Sequence, residues 1–363
     1  MKSIASRDRV SHRQLFSLNL IRAVAIVMVV LDHSLRRDVS PDTGYFMRLL
    51  LNPDAVLFFM VSGALLFPVQ GSYAEFMRRR VVKVMVPFVI WVMVYALCYY
   101  KLGMINEYTL ALQIRWYWLS GNFLQRWFIP AIMALYLVMP LLSPWIATAS
   151  RRHFHYVLIL WLISGLIPFV EPFSGIDPAA TPFVLFFNAV PYAIMGYYLT
   201  YYRNRQPLLP AYVLPSAGDD AESARSRRRV RMRKLVVVYT LMVLVGVVVP
   251  YVLGRMELSF DLKKICVSFS GNSLPAVVMA VLYFSLLVRV KTLGQVVDSV
   301  VNFVSRYSYG IYLSHWLFSG VLLPRFAPEY SESTPAAFAV AFGGGLLVSW
   351  LLRRIPFFGR YLV

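Results

Sequence analysis

Long apolar runs separated by short, mostly basic clusters set the pattern of this chain. The hydrocarbon core of a bilayer is about 30 Å thick and a helix rises 1.5 Å per residue, so about 20 apolar residues span it. Ten segments meet that length, near 17–35, 52–70, 84–102, 126–147, 154–171, 180–202, 235–253, 267–288, 306–324 and 335–352. Pro130, Pro140 and Pro191 fall inside such runs. Within a membrane this is tolerated, because neighbouring helices and polar side chains satisfy the freed carbonyls. The pattern therefore predicts an all-α, polytopic integral membrane protein of about ten transmembrane helices, occupying residues 1–363 as a single domain.

The basic clusters orient it. Lys and Arg are retained on the cytoplasmic side, and here every second loop is basic. Lys2, Arg7, Arg9 and Arg13 precede the first span; Arg78, Arg79, Arg80 and Lys83 follow the second; Arg151 and Arg152 follow the fourth. Residues 203–234 follow the sixth with nine Lys and Arg, Arg289 and Lys291 follow the eighth, and Arg353, Arg354 and Arg360 follow the tenth. Both termini are expected in the cytoplasm, with 203–234 as a flexible basic cytoplasmic loop. Arg36, Arg37, Arg255, Lys263 and Lys264 fall on the opposite side, so the rule holds by majority. The first run has no small-residue cleavage site after it and reads as an uncleaved signal anchor.

Composition agrees. Of 363 residues, 59% are hydrophobic and only 15% charged, with a net charge of +19. So much apolar surface excludes a disordered chain. Basic residues spread between spans match a membrane topology and argue against a nucleic-acid binder. Cys98 and Cys266 stand in or beside apolar runs without metal-site spacing. There is no Gly-rich phosphate loop, no G-x-S-x-G and no H-E-x-x-H, so soluble enzyme classes gain no support. No repeat of fixed period is found, and an inverted-repeat transporter gains none either.

Few ionisable groups lie within the spans, where each costs about 2.5 to 3.5 kcal/mol on the insertion scale. Arg22, Asp32 and His33 lie on the first span and His315 on the ninth. Arg22 and His33 are eleven residues apart, which on a regular helix puts them on one face about 16 Å apart along the axis. Asp32 is rotated about 100° from His33 and does not meet it. One reading makes Arg22 a snorkelling cation and His33 a satisfied polar group. The other gives the imidazole a proton from an attacking hydroxyl, or an acyl group, while the guanidinium holds a phosphate or a polarised carbonyl. His315 closes the run YSYGIYLSH, with Tyr309, Tyr312 and Ser314 as hydroxyl neighbours and Tyr312 at i−3 on its face. The cluster Arg78, Arg79, Arg80 and Lys83 is either a topogenic loop or a phosphate-holding mouth. His12, His153 and His155 read as solvated loop residues.

These residues fall in pieces that resemble one family. SLNLIRAVAIVMVVLDHS, with Arg22-x10-His33, is similar to the first-helix signature of the acyltransferase 3 family of integral membrane O-acyltransferases. LFFMVSGALL (57–66), FMRRRVVKVMVPFVIW (76–91), RWFIPAIMALYLVMPLL (126–142), PYAIMGYYL (191–199) and SYGIYLSH (308–315) follow in order. The resemblance implies transfer of an acetyl group from acetyl-CoA, the acyl donor substrate, with no metal. The acceptor would be a hydroxyl of a cell-envelope carbohydrate, and the setting the lipid of the bacterial inner membrane. It implies that His33 is the essential histidine and Arg22 its paired arginine. Arg79, Arg80 and Lys83, ahead of Pro87, would meet the CoA phosphates, while Ser62, Trp127, Tyr312 and His315 would meet substrate. Val56 stands where many members carry Asp, and Gln125-Arg126 where many carry His-Leu. The sequence ends soon after the tenth span, which implies action alone or delivery of product to a partner. Two rival classes remain at this level. A carrier or flippase for a lipid-linked glycan would line its path with Arg22, His33 and His315, and a polytopic scaffold would use them as buried polar glue.

Overall fold

The computed structural model describes residues 12–107, 128–164, 189–202, 233, 236–256, 274–356 and 359. Every regular element among them is helical. In chain order these are α1 (His12–Ser34), α2 (Pro41–Leu51), α3 (Val56–Leu66), α4 (Tyr73–Lys101), α5 (Phe128–Thr148), α6 (Arg151–Ser164), α7 (Ala189–Tyr197), α8 (Val236–Arg255), α9 (Leu274–Leu287), α10 (Gln295–Trp316), α11 (Leu323–Phe326) and α12 (Thr334–Leu352). Among the described residues, six stretches are long and apolar enough to cross a membrane: Leu15–Ser34, Pro41–Leu66, Tyr73–Lys101, Phe128–Thr148, Val236–Arg255 and Thr334–Leu352. Large apolar side chains such as Leu97, Leu141 and Leu347 face outward, as lipid contact requires. The loop expected at 203–234 lies, but for Arg233, outside the described residues. So do Trp127, Cys266, and parts of the spans expected at 154–171, 180–202 and 267–288.

Two expected spans start about three turns too late, for the same reason. Helix α4 begins at Tyr73 and not near 84, and α10 begins at Gln295 and not near 306. Their first turns are polar and fail a hydropathy window, yet each has its own helix start. Glu75 in the first turn of α4 pairs with Arg79 one turn on. Ahead of α10, Asp298 accepts the Leu293 N–H at 2.8 Å and the Thr292 hydroxyl at 2.6 Å, and Gly294 turns the chain at φ 101°. Arg78 to Lys83 thus ride on a helix and not in a loop.

The chain forms two compact units. The first comprises 1–47, 68–148 and 290–363. In it α1 and α10 run parallel, joined near one end by Asn19 donating to Asn302 at 2.8 Å and by Ser17 bonding the Val290 carbonyl. Helix α12 packs antiparallel to both, its Gly345 against Ile311 and Ser314. At the far end Asp38, just past α1, accepts the Thr334 N–H at 2.7 Å and the Thr334 hydroxyl. Those bonds, the hydroxyl's foremost, hold the Asp38 carboxyl below the usual carboxylate range. The start of α1 and the end of α12 therefore lie on the same side of this unit. Helix α4 enters beside α10, and α5 runs back along it through Tyr136 against Phe76 and Ser143 against the Val69 N–H.

The second unit, 48–67 and 149–289, is built on the crossing of α3 and α7. Gly63 and Gly196 make it possible. A Cβ on Gly63 would collide with the Ala193 carbonyl, and one on Gly196 with the Met60 carbonyl. Small residues let membrane helices approach backbone to backbone, where dispersion and not water-driven burial holds them.

Candidate active site

The site grows from the last turn of α1. Val29 to Ser34 continue the helix, and two successive side chains turn back on it. His33 Nδ1 lies 2.7 Å from the Val29 carbonyl, and the Ser34 hydroxyl donates to the Val30 carbonyl at 2.6 Å. A carbonyl only accepts, so His33 Nδ1 carries the proton and Nε2 is the basic nitrogen of the neutral ring. His315, one residue before the end of α10, repeats the device. Its Nδ1 lies 2.8 Å from the Tyr312 carbonyl and 3.1 Å from that of Ile311. The two imidazoles stand 5.4 Å apart, tilted by 55°. Residues 282 positions apart in sequence thus share one tautomer and one place.

Aromatic rings surround the pair. Trp316 meets His33 edge-on at 6.5 Å, with the Tyr99 side chain beside the indole. Tyr312 lies 6.1 Å from His315 and 5.0 Å from Phe128. Of the three hydroxyl neighbours expected for His315, only Tyr312 fills that place. The Tyr309 hydroxyl donates to the Val84 carbonyl, three residues ahead of Pro87 in α4, and the Ser314 hydroxyl to the Gly310 carbonyl one turn back.

Past Trp316 the helix widens into a π turn, Leu317–Leu322. Its entry is made by Tyr95 of α4. The Leu317 N–H donates to the Tyr95 hydroxyl at 2.8 Å, and that hydroxyl donates to the Leu313 carbonyl at 3.1 Å. These are the two main-chain groups that an unbroken α-helix would join directly. Its exit is made by Arg36. In π register the Ser319 carbonyl awaits the N–H of residue 324, which is a proline and has none. The Arg36 guanidinium donates to that carbonyl at 3.0 Å and reaches the His33 carbonyl at 3.4 Å. Tyr95, Tyr99, Trp316 and Arg36 all escaped the sequence reading. Only Arg36 had signalled itself, as a cation on the wrong side for the charge rule.

About 16 Å along α1 from His33, on the same face, stands Arg22. It is half-buried, makes no hydrogen bond to any described residue, and lies in the electrostatic field of Arg80 and the Tyr136 side chain. Arg80 stacks over Phe76 and Tyr136 at 5.5 and 5.9 Å, and its Nε is buried with no partner among the described residues. Two guanidiniums thus face one region of the first unit. Arg79 and Lys83 do not join them: Arg79 is exposed and paired with Glu75, and Lys83 is exposed.

Ser62 is half-buried on α3, in the second unit, without a hydrogen bond to a described residue. Beside it, Gly63 serves the helix crossing. His153 and His155 are not loop residues; both ride on α6, with His153 Nδ1 accepting the Ser150 N–H and His155 Nε2 3.0 Å from the Tyr198 hydroxyl.

Among the described residues, an all-helical bundle with membrane-crossing helices that carries two histidines and two arginines at least half-buried defines the class. A family model for an acyltransferase domain, Acyl_transf_3, matches residues 15–354, and the chain belongs to that acyltransferase 3 family. No curated protein and no solved structure matches it. The matched stretch includes the histidine pair and both arginines, and the family is one of membrane acyltransferases.

Proposed function

We propose that the chain is an O-acetyltransferase of the bacterial inner membrane, moving the acetyl group of acetyl-CoA onto a hydroxyl of a cell-envelope carbohydrate. The observation that carries this reading is the His33–His315 pair, each Nδ1 tied to main-chain carbonyls so that Nε2 is the basic nitrogen. His33 Nε2 takes the proton of the acceptor hydroxyl as its oxygen attacks the thioester carbonyl. The C–S bond breaks, and the imidazolium returns the proton to the departing thiolate. The Nδ1–H bond to Val29 persists through both states, so the ring does not turn during the cycle. His315 and Tyr312 flank the acceptor. Arg22 and Arg80 take CoA phosphates, with Arg79 and Lys83 at the approach. An extended pantetheine arm is of the same order as the Arg22-to-His33 spacing, so one donor molecule reaches both. Ser62 and Trp127 are assigned to substrate contact by motif.

The test is transfer of label from acetyl-CoA in inverted membrane vesicles that contain native acceptors, wild type against His33→Ala at matched expression. Loss of a general base costs about 100- to 10,000-fold. Label transfer that persists in His33→Ala overturns the proposal. Substrate movement without CoA release would transfer the reading to a glycan carrier.

A further inference from the structure

We infer that Tyr95 is a positioning residue whose hydroxyl, wedged into the backbone of α10, sets the place of the His315 ring; in its bearing on catalysis this rests on the acetyltransfer reading above. In a continuous α-helix the Leu317 N–H would meet the Leu313 carbonyl. Here one phenolic oxygen stands between them, accepting from the first and donating to the second. Side chains inserted in the i to i−4 ladder are a known cause of sharp helix distortion.

The insertion falls on the one turn that contains His315. Leu313 precedes it by two residues and Leu317 follows it by two. The bridge replaces the direct bond of the turn on which the imidazole is mounted, the Leu317 N–H otherwise turns to the Ser314 and His315 carbonyls, and the helix continues in π form from Leu317. The ring's own bonds run to Ile311 and Tyr312, on the N-terminal side of the wedge. The 5.4 Å spacing to His33 is therefore fixed partly by a residue of α4. Tyr95 is itself fully buried, with Trp91 and Tyr99 against its ring at 6.3 and 6.5 Å. Its aromatic body packs, and its oxygen bridges the backbone of α10.

The separating variant is Tyr95→Phe, which keeps the packing and removes the oxygen. Solid-state 15N NMR of histidine-labelled full-length protein in lipid reads the rings without relying on activity, with His315 assigned through His315→Gln. In Tyr95→Phe the His315 ring signals are expected to move beyond the wild-type linewidth, while those of His153 stay put. In the transfer assay kcat is expected to fall about 10- to 100-fold, the scale of a 1 Å misplacement. KM for acetyl-CoA stays within about twofold, and the loss disappears in a His315→Ala background. Unmoved His315 signals overturn the inference whatever the activity does. Moved signals in a protein that transfers no acetyl group leave the wedge standing and overturn the acetyltransferase reading instead. Should Tyr95→Phe fail to fold, 3-fluorotyrosine at position 95 weakens the acceptor while keeping the shape, and unmoved His315 signals there overturn it equally.

Discussion

Asp38 shows how a single exposed side chain ties the far ends of two helices. Its carboxylate takes both the N–H and the hydroxyl of Thr334, at the first turn of α12, where the helix's positive end also favours an anion. Because these bonds lower its folded-state pKa, the stabilisation is present above the ordinary carboxylate value of about 3.9 and is lost as pH falls through the depressed folded value. Purified wild-type protein is expected to lose melting temperature on acidification below about pH 4 more steeply than Asp38→Asn does, a difference that thermal scans from pH 3 to 7 would read. Equal slopes would show that the contact carries no pH-dependent stability. The other residue-scale prediction concerns Gly63. A methyl there meets main chain, which cannot move aside as a side chain would. Gly63→Ala should cost at least the 1 to 3 kcal/mol typical of overpacking, seen as loss of monodisperse protein in detergent, whereas Gly343→Ala, with open space around it, should be neutral.

At the scale of elements, the π turn after His315 is held at both ends by side chains from elsewhere. Arg36 supplies the donor that Pro324 lacks, and a buried carbonyl left unpaired costs about 1 to 3 kcal/mol. Arg36→Gln is accordingly expected to destabilise by about that amount in the wild type, and by less in a Pro324→Ala background, where an N–H becomes available. A double-mutant cycle on thermal or denaturant stability measures the coupling, and strict additivity would refute it. This element also marks where sequence stopped being informative. The Arg22-to-His33 register on α1 was legible, because it needs only helical periodicity within one span. Partners between spans were not. Nothing in the order of residues says that Tyr95 reaches α10, or that Tyr309 and Ser314 spend their hydroxyls on carbonyls while Tyr312 stays beside His315. The basic cluster was legible as charge but not as geometry. On the helix, Arg80 faces Tyr136 while Arg79 and Lys83, on another side, face out. Hydropathy likewise found where α1, α5, α8 and α12 lie to within a few residues, and missed the polar first turns of α4 and α10.

At the scale of the whole first unit, the parallel run of α1 and α10 with α12 returning against both puts the start of α1 and the end of α12 on one side. By the positive-inside rule that side is expected in the cytoplasm. Reporter fusions ahead of residue 12 and after residue 356 are expected to report the same compartment, and opposite compartments would refute that assignment. Arg22 is nearer that side than His33, the order in which the proposed donor, acetyl-CoA, would meet them.

The wedge at Tyr95 also bears on biogenesis. The distortion in α10 is written 222 residues upstream of the backbone N–H that it captures, so α10 by itself carries no instruction to open at Leu317. During synthesis, residues 295–323 would first form an ordinary α-helix, with the Leu317-to-Leu313 bond intact. Only docking against α4 exchanges that bond for two others. The histidine pair is then a product of tertiary assembly and appears late, after the spans are in place, which leaves the half-built chain without a formed histidine site in the membrane.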